Sequence, residues 1–366
     1  MPSTDQVGAG PVTDRPVPNP YTREASRRWL ILLLLSALLV GLATLSLTQG
    51  AFDISVEAII GILADRLGLD ATFAFTSREA SVLLTIRLPR LLLAAAVGAS
   101  LGACGGITQA VFRNPLASPS VIGISGGAAV GAASSLVLGF AAMSRLGMPL
   151  SAFVGALAAT TVVYGFARRR GRTEVTTLLL AGIAINAIAG ALLNLLQALS
   201  NEAQLQSIVF WLMGSVSGAT WGTLTFAVPL MAVSMIPLMI NVRSLNLMIL
   251  GEAEARNLGV ETECVRIVCI FGVALATGAS VAAAGVVPFV GLVVPHIMRA
   301  IIGPDNRTLI PGSMIGGAIL VTVADLLGRT IVAPTQLPLG FVTALIGGPF
   351  FLYLVWRMQR QQGSLP

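Results

Sequence analysis

The chain has 366 residues, 55% of them hydrophobic and only 10% charged, with a formal charge of +6 and a mean hydropathy of +0.87. Soluble proteins carry about 25% charged residues, so a soluble globular domain is excluded and a polytopic membrane protein remains. All 22 basic residues are arginine. A P-loop lysine, a Schiff-base lysine and the chemistry that needs either are therefore excluded, and any ATP that drives this protein is hydrolysed by another chain. The three cysteines, Cys104, Cys264 and Cys269, fall in apolar segments or at their edges without metal-ligand spacing, and read as small packing side chains.

In chain order, residues 1–28 are rich in proline and polar residues and predict a disordered cytoplasmic tail. The apolar stretch 29–48 is too long and too uniform for a signal-peptide core and is the first span. Further apolar stretches lie at 88–111, 120–139, 148–167, 176–199, 222–241, 264–284, 286–302, 308–332 and 339–356, which makes an all-α polytopic protein of about ten transmembrane helices. The membrane domain is thus 29–357, followed by a short cytoplasmic tail, 358–366. Gly285, Pro288, Gly291 and Pro295 interrupt the eighth span and predict a short broken helix, which membranes tolerate only against other helices or a cavity. A Gly/Ala-rich helix leads into a Phe-and-Pro break at 112–115 and again at 289–295. These breaks predict an inverted internal repeat relating spans 2 to 5 and 7 to 10.

With the N-terminus inside, 16 of the 22 arginines fall on inner segments, including the run Arg168, Arg169, Arg170 and Arg172. Only Arg66, Arg78, Arg87, Arg90, Arg145 and Arg329 fall outside, so both termini are expected in the cytoplasm. The outer connections 49–87 and 200–221 contain amphipathic patterns such as 56–67, expected to lie on the membrane surface.

Ionisable groups are scarce within the spans. Asp325 and Arg329, four apart on one helix face, read as a partly buried ion pair. His296, beside Pro295, reads as a hydrogen-bonded packing residue rather than a metal or heme ligand. Small residues dominate the second and third spans (Gly98, Ser100, Gly102, Gly105, Gly106, Thr108 and Gln109, then Ser125, Gly126, Gly127 and Ser134). They serve close helix packing, and their density also allows a mildly polar passage for a bulky solute.

Between these spans lies Phe112-Arg-Asn-Pro-Leu-Ala-Ser-Pro119, followed by Val121-Ile-Gly-Ile-Ser-Gly-Gly127. With Arg87-Leu-Pro-Arg90, Leu180-Ala-Gly182, Phe210-Trp-Leu-Met-Gly-Ser215, Leu250-Gly-Glu-Ala-Glu-Ala-Arg-Asn-Leu-Gly259, Phe289-Val-Gly-Leu-Val-Val-Pro-His296, Asp325 with Arg329, and Leu337-Pro-Leu-Gly-Phe-Val-Thr-Ala344, the sequence resembles the FecCD-type permeases of bacterial ABC importers for iron-siderophores, heme and cobalamin. The resemblance implies ten helices per subunit, a homodimer in the inner membrane, two cytoplasmic ATPase subunits and a periplasmic substrate-binding protein. It implies no catalytic site, cofactor or metal on this chain, with ATP and Mg held by the partner subunit.

The same resemblance assigns residues. Segment 244–263, with Gly251, Glu252, Glu254, Arg256, Asn257 and Gly259, matches the short helices that couple to the ATPase. Arg87, Arg90 and Arg329 match outer positions that receive acidic residues of the binding protein, for which a planar guanidinium fork is suited. Asn114 and Leu116 match an inner gate, and Val175 and Thr176 a second constriction, where relatives carry small hydroxyl residues and Val175 departs from them. Residues 211–217 are expected in a short outer helix after the fifth span. Heme is favoured as cargo over a ferric siderophore or cobalamin. A carrier coupled to ions, working alone, is the alternative of another class and would need intramembrane carboxylates; a receptor or scaffold would not need the Gly- and Pro-broken helices.

Overall fold

The computed structural model describes residues 20–50, 52–69, 73–144, 146–169 and 171–362. The chain folds as α1 (Pro20–Thr48), α2 (Val56–Arg66) and α3 (Ser77–Val82), then passes through a π-helical turn, Leu83–Arg87, into α4 (Leu88–Phe112). It continues as α5 (Ile124–Val137), α6 (Phe140–Met143) and α7 (Gly147–Ala167), and then the hairpin β1 (Arg168–Arg169) and β2 (Arg172–Thr173). After that come α8 (Val175–Ala198), α9 (Glu202–Leu212), α10 (Trp221–Ile240), α11 (Val242–Ile249), α12 (Glu252–Asn257), α13 (Thr262–Ala284), α14 (Val290–Ile302), α15 (Asn306–Thr330) and α16 (Leu339–Gln362). Eight of these helices are long and apolar enough to cross a membrane, and the shorter apolar α5 and α14 complete ten spans among the described residues.

Two boundaries differ from the sequence expectation. The helix of the first span begins at Pro20, inside the segment read as a tail, consistent with proline's preference for the first helical turn; residues 1–19 lie outside the described residues. At the other end, α16 runs to Gln362, with residues 363–366 outside the described residues. Arg145 and Arg170 also lie outside them.

The centre of the bundle is α4, which packs on α15, α14, α13 and α10. Glycine makes the tightest crossing possible. A Cβ on Gly98 would stand 2.2 Å from the Gly317 carbonyl oxygen, and one on Gly102 would stand 2.0 Å from that of Ser313. Backbones can approach this closely only where side chains are absent. Ser100, Thr108 and Gln109 are buried as well, donating to the carbonyls of Ala276, Cys104 and Leu292. The small and polar residues of the second span therefore serve packing, and the passage reading of that helix is corrected. Their hydroxyls find carbonyl partners in the bundle, so no water-filled lining is needed to satisfy them.

Two breaks divide the spans. The first follows α4, where Arg113 adopts φ 48°, and leads through the turn Pro119–Ile122 into α5. The second follows α13, where Gly285 at φ 69° and Phe289 at φ 66° lead into α14. Arg113 and Phe289 are the two non-glycine residues with positive φ among those described. The packing has an exchange relation: α4 contacts α14 and α15, while α13 contacts α5 and α7.

The helix expected over 211–217 lies earlier. An Asn201–Gln204 capping box starts α9, and Gly214 at φ 69° follows its end. The segment after it is instead a brace: Ser215 N–H donates to the Ala284 carbonyl, and the Leu339 and Gly340 N–H groups donate to Gly214 and Met213. It thus joins the end of α13 to the start of α16.

Candidate functional site

The candidate side chains collect at the two ends of the bundle, and a cavity lies between them. At the first end, Asp325 of α15 is 6% exposed and accepts from Arg90 Nε at 2.9 and 3.1 Å, with Arg90 Nη2 2.9 Å from its Oδ1. Arg90 Nη1 also donates to Gln336 Oε1 at 3.1 Å. The expected Asp325–Arg329 pair exists only as a looser contact of 3.8 Å. Sequence reasoning missed the main partner, because Arg90 lies 235 residues away and nothing local signals it.

The other two arginines of this end close the C-terminus of α1. Arg87, 7% exposed, donates to the carbonyls of Leu47, Thr48 and Phe52, the Thr48 bond being 2.9 Å. Arg329 donates to the Ser46 carbonyl, to Ser46 Oγ at 2.8 Å and to the Gln49 carbonyl at 2.7 Å. The last carbonyls of a helix lack intrahelical partners and carry its negative dipole end, so cations are favoured there. Arg87, Arg90 and Arg329 nevertheless all line one open cleft of about 620 Å³, together with Asp53 and Gln336.

At the opposite end lies a buried hub. Arg266 of α13 is 3% exposed; its guanidinium donates to the Thr173 carbonyl at 3.1 Å, to Glu263 Oε2 at 3.1 Å and to Glu252 Oε1. Glu263 in turn accepts from the Thr173 N–H at 3.1 Å and from its hydroxyl. Glu252 also meets Arg113 at 3.6 Å and Arg256 at 3.8 Å. This cluster borders a cleft of about 1230 Å³ lined by Arg169, Arg172, Glu174 and residues 259–264.

The residues matched to coupling stand on α12 and its flanks. Gly251 precedes the helix at φ 132°, and a Cβ there would meet Glu254 Oε2 at 2.0 Å; Gly259 follows it at φ 83°. Ala255 is fully buried, which anchors the helix, while Glu254, Arg256 and Asn257 are exposed. Of the residues matched to gates, Asn114 is exposed and accepts from the Leu116 N–H at 2.9 Å in the first break, with Leu116 half-buried. Val175, half-buried, and Thr176, exposed, open α8 directly after β2. Arg266 was legible only as one more arginine of the inner segments.

Between the ends, a cavity of about 340 Å³ sits against both breaks, lined by Ser118, Pro119, Ser120, Pro288, Phe289 and Phe351 among others. His296 faces the Phe350 ring edge-on with centroids 6.2 Å apart, and its Nδ1 has no hydrogen-bond partner among the described residues. It therefore packs as expected but without the expected hydrogen bond at that nitrogen. No cluster of metal-ligating side chains occurs among the described residues.

A ten-span helical bundle with broken helices around a central cavity defines a membrane permease. Residues 37–357 match the FecCD transport family, and the chain belongs to it. It is 41% identical over 338 residues to the hemin transport system permease protein HmuU of Yersinia pestis, covering 92% of this chain and 97% of that one. It is 40% identical to the cobalamin import system permease protein BtuC of Halobacterium salinarum, covering 74% and 72%. Identity to the Fe(3+)-citrate import system permease protein YfmE of Bacillus subtilis is 36%, covering 93% and 99%. A solved metal-chelate type ABC transporter in an inward-facing conformation superposes with a TM-score of 0.79 at 33% identity, covering 89% of this chain and 99% of that one. The chain is thus a multi-pass permease subunit of an ABC importer, a transport component that pairs with ATPase and substrate-binding components.

Proposed function

We propose that this chain forms a homodimer in the bacterial inner membrane and moves heme into the cytoplasm by alternating access. Two partner ATPase subunits hydrolyse ATP, a periplasmic binding protein delivers the cargo, and both termini are cytoplasmic. The chain itself carries no catalytic group, cofactor or metal. The observation that carries ATP coupling is α12: its buried Ala255 and the Glu252–Arg266 contact root it in the bundle, while Glu254, Arg256 and Asn257 face outward. Charges so placed suit recognition by a partner.

Heme is supported by the match to the hemin permease, which runs over nearly all of that protein at 41% identity. The ferric-citrate relative, matched over a similar length at 36%, favours an iron chelate as the second reading. The binding protein is proposed to dock at the cleft of Arg87, Arg90 and Arg329. Because Asp325 already holds Arg90, an incoming carboxylate would share or displace that pair. Asn114 and Leu116 are proposed as the inner gate, with Val175 and Thr176 as a second constriction. The exchange relation of α4 with α13 supports treating the two halves as an inverted repeat.

The test is uptake by vesicles holding the permease, its ATPase and internal ATP, supplied with binding protein and either heme, ferric citrate or cobalamin. ATP-dependent heme uptake is expected. Uptake of another cargo alone reassigns the substrate, and uptake driven by an ion gradient without the ATPase overturns the mechanism.

A further inference from the structure

The Arg266 hub joins three segments that the ten-span scaffold otherwise keeps apart. Through Glu252 it holds α12; through the Thr173 carbonyl and Glu263 it holds the strand that ends two residues before Val175. Glu252 also reaches Arg113, the residue immediately before Asn114. Two proposed gate segments and the proposed ATPase contact thus converge on one carboxylate–guanidinium pair.

The links differ in strength. Arg266 is buried and paired with both Glu252 and Glu263, so parting it from them would leave a buried charge without compensation, and that connection resists breaking. The Arg113–Glu252 contact is 3.6 Å long between side chains 45% and 29% exposed, where water competes and ion pairs are weak. One link is therefore strong and the other weak.

We propose that Arg266 is the positioning residue that moves α12 and the start of α8 as one body, while the Arg113–Glu252 contact is a latch to the Asn114 segment that opens and closes during transport. This rests on the reading of the chain as the permease of an ATP-driven importer. A displacement of α12 then reaches Val175 and Thr176 directly, and reaches Asn114 and Leu116 only when the latch is closed.

The experiment uses the complete complex in vesicles and measures ATP hydrolysed per cargo molecule taken up. Arg266→Lys keeps the positive charge opposite Glu252 but lacks the planar fork that also serves Thr173 and Glu263. It is expected to assemble with the ATPase and to hydrolyse roughly tenfold more ATP per molecule transported, the scale of a disrupted coupling element. Arg113→Gln is expected to change the same ratio by only about twofold. Should Arg266→Lys fail to assemble, Thr173→Val, which removes the hydroxyl contact to Glu263 and leaves all charges in place, is expected to raise the ratio in the same direction. A wild-type ratio in whichever of these two variants assembles, or a larger effect from Arg113→Gln than from Arg266→Lys, overturns the proposal. Failure of the wild-type complex to transport with ATP would instead overturn the underlying functional reading.

Discussion

Arg90 and Asp325 form a two-pronged ion pair that ties the second span to the ninth, with contacts of 2.9 to 3.1 Å across 235 residues of sequence. Arg329 approaches the same carboxylate at 3.8 Å, so one buried anion serves two cations. Removing that anion strands both. Asp325→Asn is expected to destabilise the protein by about 3–5 kcal/mol, the cost of an uncompensated buried charge. The double variant Arg90→Met/Asp325→Leu should lose less than Asp325→Asn alone, a non-additivity that thermal unfolding in detergent can measure.

Arg87 secures the end of α1 through the Leu47 and Thr48 carbonyls and ties it to the following loop through that of Phe52. Arg87→Met should cost about 1.5–3 kcal/mol, as expected for charge-assisted hydrogen bonds. Hydrogen exchange should rise in residues 44–50 while the cores of α4 and α15 stay protected. Arg87→Lys should not restore protection, because an ammonium cannot span the same carbonyls as a planar fork.

The α4–α15 crossing predicts a sharp contrast between glycines. Gly102→Val places a side chain 2.0 Å from a backbone oxygen and should abolish recovery of folded protein. Gly165→Ala meets nothing within 4 Å and should be neutral or stabilising by up to about 1 kcal/mol, since alanine favours the helix. Size-exclusion profiles of the two purified variants distinguish these outcomes.

Gly251→Ala should disturb α12 without unfolding the bundle. Its φ of 132° is strained for any residue with a Cβ, and that Cβ would collide with the Glu254 carboxylate. Expression and thermal stability are expected near wild type, with ATP-driven uptake reduced roughly tenfold, as for loss of a coupling contact.

Much of the fold was legible because hydropathy is a local property. The ten apolar stretches correspond to the ten spans, and the stretch expected to be broken is the 13-residue α14 behind Gly285 and Phe289. What escaped sequence reasoning depends on which face meets which. Ser100 and Gly102 look alike as lining or as packing until α13 and α15 are set against them. Asp325 has an obvious partner four residues on, yet the better geometry comes from Arg90. Arg266 carried no local signal at all, since its partners Thr173 and Glu252 belong to different connections.

The fastening of α1 has a consequence for biosynthesis. Its middle presents many apolar side chains outward, whereas it is held by Arg28 to Asp305 within its first half and by Arg87 and Arg329 at its C-terminal end. Asp305 and Arg329 leave the ribosome hundreds of residues after α1 does. Arg87 follows α1 closely and can secure its C-terminal end early, whereas the Arg28 and Arg329 fastenings form only when the ninth span inserts, so during most of translation the first helix is held at one end alone.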